Sequence, residues 1–162
     1  MDFSTRYDFL KTAVARYDAY FNLLAVKASL LLTSNAIFLA PAAGQRSEFL
    51  TALQAGGAPR ALLVAATLLS LASLALASLV MASWLGRPRR ALSLMFSDNV
   101  AAMTPAAYVD EISRLDEQQA LTDLAQLAHL LATGITRKFR YVNLSLAALV
   151  LAIGCAFLAL IV

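Results

Sequence analysis

Cations interleaved with aromatic rings are the residues of this chain best suited to recognition chemistry. Arg6, Arg16 and Arg114 alternate with Tyr7, Tyr17, Tyr20 and Tyr108. A guanidinium to hold a phosphate and a ring to stack on are what an anion with an aromatic base requires. The same residues also make an ordinary solvated helix face, and residue type alone favours that plainer reading. Catalytic sets are missing. His129 is the sole histidine and Cys155 the sole cysteine, so neither a zinc site nor an intrachain disulfide can be built. No nucleophile–base pair and no phosphate-cradling glycine loop occurs either. The expectation is a non-enzyme with no cofactor, no metal and no nucleic-acid partner.

Polar residues embedded in apolar sequence form a second group. Lys27 and Asn35 interrupt an otherwise apolar segment, where such groups are costly and face a partner or an interface. Lys27 lies near the end of its segment and can snorkel into headgroups. Asn35 lies deeper, and a seam asparagine fixes register or oligomer state. Ala66, Ser70, Ser73 and Ala77 place small side chains on one helix face, which permits close approach of another helix. That helix belongs either to the same bundle or to a second copy; the spacing leaves both open. Arg137, Lys138 and Arg140 read as an anchor to anionic lipid.

These residues sit on elements dictated by an unusual composition. Hydrophobic residues make up 60% of the 162 and charged ones only 14%, with a mean hydropathy of +0.71 and a pI near 9.3. The run from Ala61 to Leu85 carries no charge. At about 1.5 Å per helical residue it is long enough to cross a hydrocarbon core roughly 30 Å thick. Residues 23–43 and 141–162 qualify as two further spans. Pro41, Pro59, Pro88 and Pro105 fall at the borders, Pro41 being expected to end the first span. The acidic, aromatic N-terminus does not read as a cleavable signal peptide.

Orientation follows from the cations. Arg6, Lys11, Arg16 and Lys27 precede or open the first span, Arg46 and Arg60 lie in 44–60, and the remaining seven fall in 86–140. The positive-inside rule puts 1–22 and 86–140 in the cytoplasm, and the 44–60 loop and the C-terminus outside an inner membrane. Apolar residues at Phe3, Tyr7, Leu10, Val14, Tyr17, Phe21 and Leu24 follow a heptad, continued through Ala28, Leu31, Asn35 and Phe38. A single helix therefore runs from the cytoplasm into the first span. After Thr104-Pro105, an N-cap and first helical residue, Tyr108, Ile112 and Leu115 begin a second pattern. It slips at Asp116–Gln119, resumes at Leu121, Leu124, Ala128, Leu131 and Ile135, and predicts a helix entering the last span. The fold class expected is a single-domain, all-α membrane protein, with about three transmembrane helices continuous with a helical cytoplasmic stalk.

Two stretches carry a resemblance. LLAVKASLLLTSNAIFLA is similar to the opening signature of the transmembrane Pycsar effectors, roughly A-D-x-K-A-x-x-L-L-x-x-N-A-I. The region from SLMFSDNVAAMTPAAYVDEI to LAHLLATGITRKFRYVNLSL resembles their later part, where a Phe-rich turn leads to a tyrosine, a long helix and a Lys-x-Arg at the last span. By position the signature lysine is Lys27, the asparagine Asn35, the tyrosine Tyr108 and the closing pair Lys138 and Arg140. The aspartate two residues before the signature lysine is replaced here by Ala25. The resemblance implies an anti-phage effector that assembles as a homo-oligomer in the lipid bilayer. It would sense cyclic CMP or cyclic UMP made by a partner cyclase and compromise the inner membrane. A small accessory membrane protein that senses nothing is the alternative. The residues offered for the ligand are Arg6, Arg16 and Arg114 for phosphate, with Tyr17 or Tyr108 for the base.

Overall fold

A computed structural model describes residues 2–44, 50, 51, 54, 56–82 and 93–161. Arg46, Arg87, Arg89 and Arg90, which weighed in the orientation argument, and much of the 44–60 connection lie outside the described residues. Among the described residues five helices have defined bounds: α1 Phe3–Gly44, α2 Gly57–Met81, α3 Ser97–Ala101, α4 Pro105–Ser113 and α5 Glu117–Ile161. No strand occurs among the described residues. α1, α2 and α5 are long and apolar enough to cross a membrane, and the chain is an all-α membrane protein.

Local sequence explains the helix ends. Asp2 precedes α1 and accepts from the Thr5 amide at 3.1 Å and from the Thr5 hydroxyl. Those bonds hold its carboxyl below the usual carboxylate range. Thr104 caps α4, its hydroxyl accepting from the Ala107 amide at 3.2 Å, with Pro105 in the first turn. The pattern slip at Asp116–Gln119 proves to be a break. Asp116 accepts from the Gln119 amide at 2.7 Å, and the Gln119 side chain accepts from the Asp116 amide at 3.1 Å. This reciprocal capping box ends one helix and starts the next, so α4 and α5 are separate. Pro41 does not end α1, which continues to Gly44. So near the C-terminus the proline forfeits only one intrahelical bond, to Ile37, and α1 absorbs it.

Contacts divide the chain into two units. One comprises Met1–Asn22 with Ser83–Arg137, the other Leu23–Ala82 with Lys138–Val162. The 42 residues of α1 and the 45 of α5 each contribute to both. At 1.5 Å per residue these helices are about 63 and 68 Å long, twice what a hydrocarbon core needs.

Three seams build the second unit. Buried positions on α1 are Leu24, Ala28, Leu31 and Asn35; on α2 they are Ala66, Ser70, Ser73, Ala77 and Val80; on α5 they are Val142, Ser145, Leu149 and Ala152. All alternate by three and four, the 3.5-residue repeat that winds helices into a left-handed bundle. Large apolar side chains such as Leu30, Ile37, Leu68, Leu151 and Phe157 point outward, as a lipid-facing surface requires.

In the first unit α1 and α5 use the same periodicity more loosely. Leu10, Val14, Tyr17 and Phe21 are half-buried, while Leu124, Ala128 and Ile135 are buried. Gly134 fits beside Phe21: a β-carbon there would lie 3.6 Å from the Phe21 ring.

Candidate functional site

The second unit contains a polar cluster inside its apolar seam. Asn35 Nδ2 donates to the Leu31 carbonyl at 2.8 Å and to Ser73 Oγ at 2.9 Å. Its Oδ1 accepts from Ser70 Oγ at 2.7 Å. Ser73 Oγ donates to the Ser145 carbonyl at 2.8 Å, and Ser145 Oγ returns a bond to the Ser73 carbonyl at 2.8 Å. Side chains from all three long apolar helices thus meet, one from α1, two from α2 and one from α5, and Asn35, Ser70, Ser73 and Ser145 are all fully buried. Among the described residues no buried side-chain polar atom lacks a partner. Interhelical hydrogen bonds in lipid contribute about 0.6 kcal/mol each and rarely more than about 1.7. The four here therefore contribute on the order of 2–3 kcal/mol, enough to fix register without making the bundle immovable.

The small-residue stripe has a partner in its own chain. Ala66, Ser70, Ser73 and Ala77 are buried by the bundle, and the two serines carry the network. Ser145 had not been singled out from sequence, although it continues the heptad of Leu124, Ala128, Leu131, Ile135 and Val142. At the end of the same unit Lys27 is exposed and lies over the Phe139 ring, 5.8 Å from its centroid, a cation–π contact. Lys138 is half-buried on the seam face of α5, and Arg140 is exposed.

The ligand candidates lie in the first unit and are not gathered in one place. Arg114 is ion-paired with Asp110 at 2.7 Å, both side chains well exposed. It borders an open pocket of about 460 Å³ whose other charged lining residues are Glu111, Asp116 and Asp123. Three carboxylates beside one guanidinium make a poor place for an anion. Tyr17 is half-buried on the α1 seam, and Tyr108 is half-buried on α4. Arg6 and Arg16 are exposed on α1, ten residues and so about 15 Å apart along its axis. Arg16 has no ion-pair partner among the described residues.

A further arrangement had no signal in the sequence. Asp123 of α5 accepts from Ser93 Oγ and the Leu94 amide, each at 2.9 Å. Ser93 Oγ in turn accepts from the Met95 amide at 3.0 Å, and Asn99 donates to the Ser93 carbonyl at 3.0 Å. A carboxylate thirty residues away therefore pins the Ser93–Phe96 turn onto α5. No metal-binding cluster of His, Cys, Asp and Glu occurs among the described residues.

Comparison with known proteins adds one match. A family model described as the Pycsar effector protein domain covers residues 9–162, nearly the whole chain. No curated protein and no solved structure shows a match.

Proposed function

From the premise that this chain belongs to the Pycsar effector protein family and acts in anti-phage defence, we propose that it senses a cyclic pyrimidine mononucleotide and breaches the membrane in response. Sensing belongs to the unit made of Met1–Asn22 and Ser83–Arg137, which holds the exposed cations Arg6 and Arg16. Breaching belongs to the unit of three apolar helices. The proposed orientation has the first unit in the cytoplasm, where the nucleotide is made, and Val162 outside the inner membrane.

One observation carries the reading: α1 and α5 each run through both units. A ligand that changes how these helices pair near Arg16 acts on the same two continuous helices that carry Asn35 and Ser145. It shifts the bundle only by its differential affinity for the two arrangements. The network supplies something to release. Parted, Asn35, Ser70, Ser73 and Ser145 would offer polar side chains to water in the middle of an apolar layer. Homo-oligomer assembly is part of the proposal, and its contacts belong to faces other than the α2 stripe, which the chain itself buries.

Dye release from liposomes carrying the protein tests this. Cyclic CMP or cyclic UMP is expected to cause dose-dependent release, and protein-free liposomes none. No release with either nucleotide at saturating concentration would return the chain to the accessory-protein reading.

A further inference from the structure

The pairing of α1 with α5 makes two unlike faces. Lys27 lies over Phe139, so the row of α1 reaching α5 on that side is the one spaced by sevens through Lys27: Tyr20, Ala13, Arg6. The matching row of α5, spaced by sevens through Phe139, is Ala132 and Ala125. Arg16 and His129 stand one step outward from these rows, on the same face. Phe21 against Gly134 fixes the height, an offset of 113 positions between the helices. At that offset Arg16 is level with His129, and Tyr20 with Ala132–Thr133. Arg16, His129 and Ala125 are exposed, and Tyr20 keeps 46% of its surface. Ala13, Ala125 and Ala132 leave a shallow floor between the taller side chains.

Charge is sorted between the faces. From Phe9 to Tyr20 this face of α1 holds Arg16 and no carboxylate, while Arg6, nearer the N-terminus, has the Asp2 carboxylate close by. Asp8 and Asp18 fall on the other flank of α1. Asp123, which pins the Ser93–Phe96 turn, lies six residues from His129, about 120° round α5. The turn therefore covers a different side of the helix, and among the described residues Arg16 and His129 stay exposed on this face.

We infer that this groove is the nucleotide site: Arg16 and His129 donate to the phosphate, and Tyr20 stacks on the base. The chemistry is that of any mononucleotide anion, with the phosphate needing charged and neutral N–H donors and the base an aromatic face. A ligand seated here bridges α1 and α5 at the looser end of their seam, so binding and helix pairing are the same event. The inference rests on the sensing reading and adds its location.

Calorimetry on the full detergent-solubilised chain, titrated separately with cyclic CMP and cyclic UMP, tests it. Arg16→Gln is expected to weaken binding at least tenfold, the usual loss for a charge-assisted bond, with Arg16→Lys restoring part of it. Tyr20→Leu is expected to weaken it about fivefold or more and Tyr20→Phe much less, because the ring is kept. Arg114→Gln is expected to bind as wild type. Unaltered thermal melting checks that the variants fold. If wild type binds and Arg16→Gln and His129→Gln bind equally well, the site is elsewhere while sensing stands. If wild type gives no heat with either nucleotide, the sensing reading and this location fall together.

Discussion

The two units use one heptad to opposite ends. Within α1 the seam passes from Leu10, Val14, Tyr17 and Phe21, all half-buried, to Leu24, Ala28, Leu31 and Asn35, all nearly inaccessible. Polar side chains reverse as well. In the first unit the exposed cations and carboxylates stand on the outside of the helix pair. In the second, Asn35, Ser70, Ser73 and Ser145 are inside and mutually bonded, and the outside is dominated by Leu, Ile, Val and Phe, with Lys27 and Arg140 exposed beside the boundary with the first unit. Water pays for exposed polar atoms in one case, and lipid forbids them in the other. Under the proposed function, the loosely packed end is where a few kcal/mol of binding energy would change helix pairing, and the tight end is where that change would be felt.

The sharpest way to break this contrast is to crowd the tight end. Ser73→Leu inserts a large side chain at a fully buried contact and removes both hydrogen bonds of the Ser73 hydroxyl, the one it accepts and the one it donates. A loss of about 3 kcal/mol or more is expected from overpacking and unmade bonds together, seen as a large fall in melting temperature in detergent. A change of comparable chemistry on the outer surface, Leu68→Ala at a position 61% exposed, should leave melting nearly unaltered.

Asn35→Leu comes next. It leaves Ser73 with Ser145 but deprives Ser70 of its acceptor, so a loss of about 1–2 kcal/mol is expected by the same melting measurement. In liposomes this variant should leak without nucleotide, or at lower nucleotide concentration, because less holds the bundle closed. A variant as stable and as tight as wild type would mean that the network does not restrain the bundle.

On the loose side, Asp123→Ala removes a carboxylate that takes up bonds from Ser93 and Leu94. Hydrogen bonds to a charged acceptor contribute about 1.5–3 kcal/mol when buried and less at a half-exposed site such as this. The expected sign is local: faster deuterium exchange at the Leu94 and Met95 amides, with the second unit unaffected. The smallest effect is expected for Lys27→Met, which gives up an exposed cation–π contact of about 0.5 kcal/mol and should shift melting by no more than a degree or two.

How much of this was written in the chain follows the same division. The α1 seam from Tyr7 to Phe38 was legible because a strict four–three spacing has one geometric meaning, whereas Phe3, expected to begin it, is exposed. Asn35 on that seam and the α2 stripe were legible for the same reason. Whether the stripe met its own bundle or a second copy was not, since spacing says which face is buried and never by what. Ser145 lay in phase on α5 but is a single small residue in an apolar run. Asp123 and Ser93 were invisible: their bond joins positions thirty apart, and neither stands out by type. Asp116 and Gln119 were read as a slip in periodicity, whereas their side chains close a capping box. Pro41 misled because a proline near a helix C-terminus costs little.

The central claim is that binding in the first unit rearranges the helices of the second. Spin labels at Leu68 of α2 and Leu146 of α5, both outward-facing, in a Cys155→Ala background, report the spacing of these helices by pulsed electron paramagnetic resonance in lipid. Saturating cyclic CMP or cyclic UMP is predicted to move or broaden the distance distribution, and Arg16→Gln to abolish that change. Identical distributions with and without a nucleotide that calorimetry shows to be bound would contradict the account.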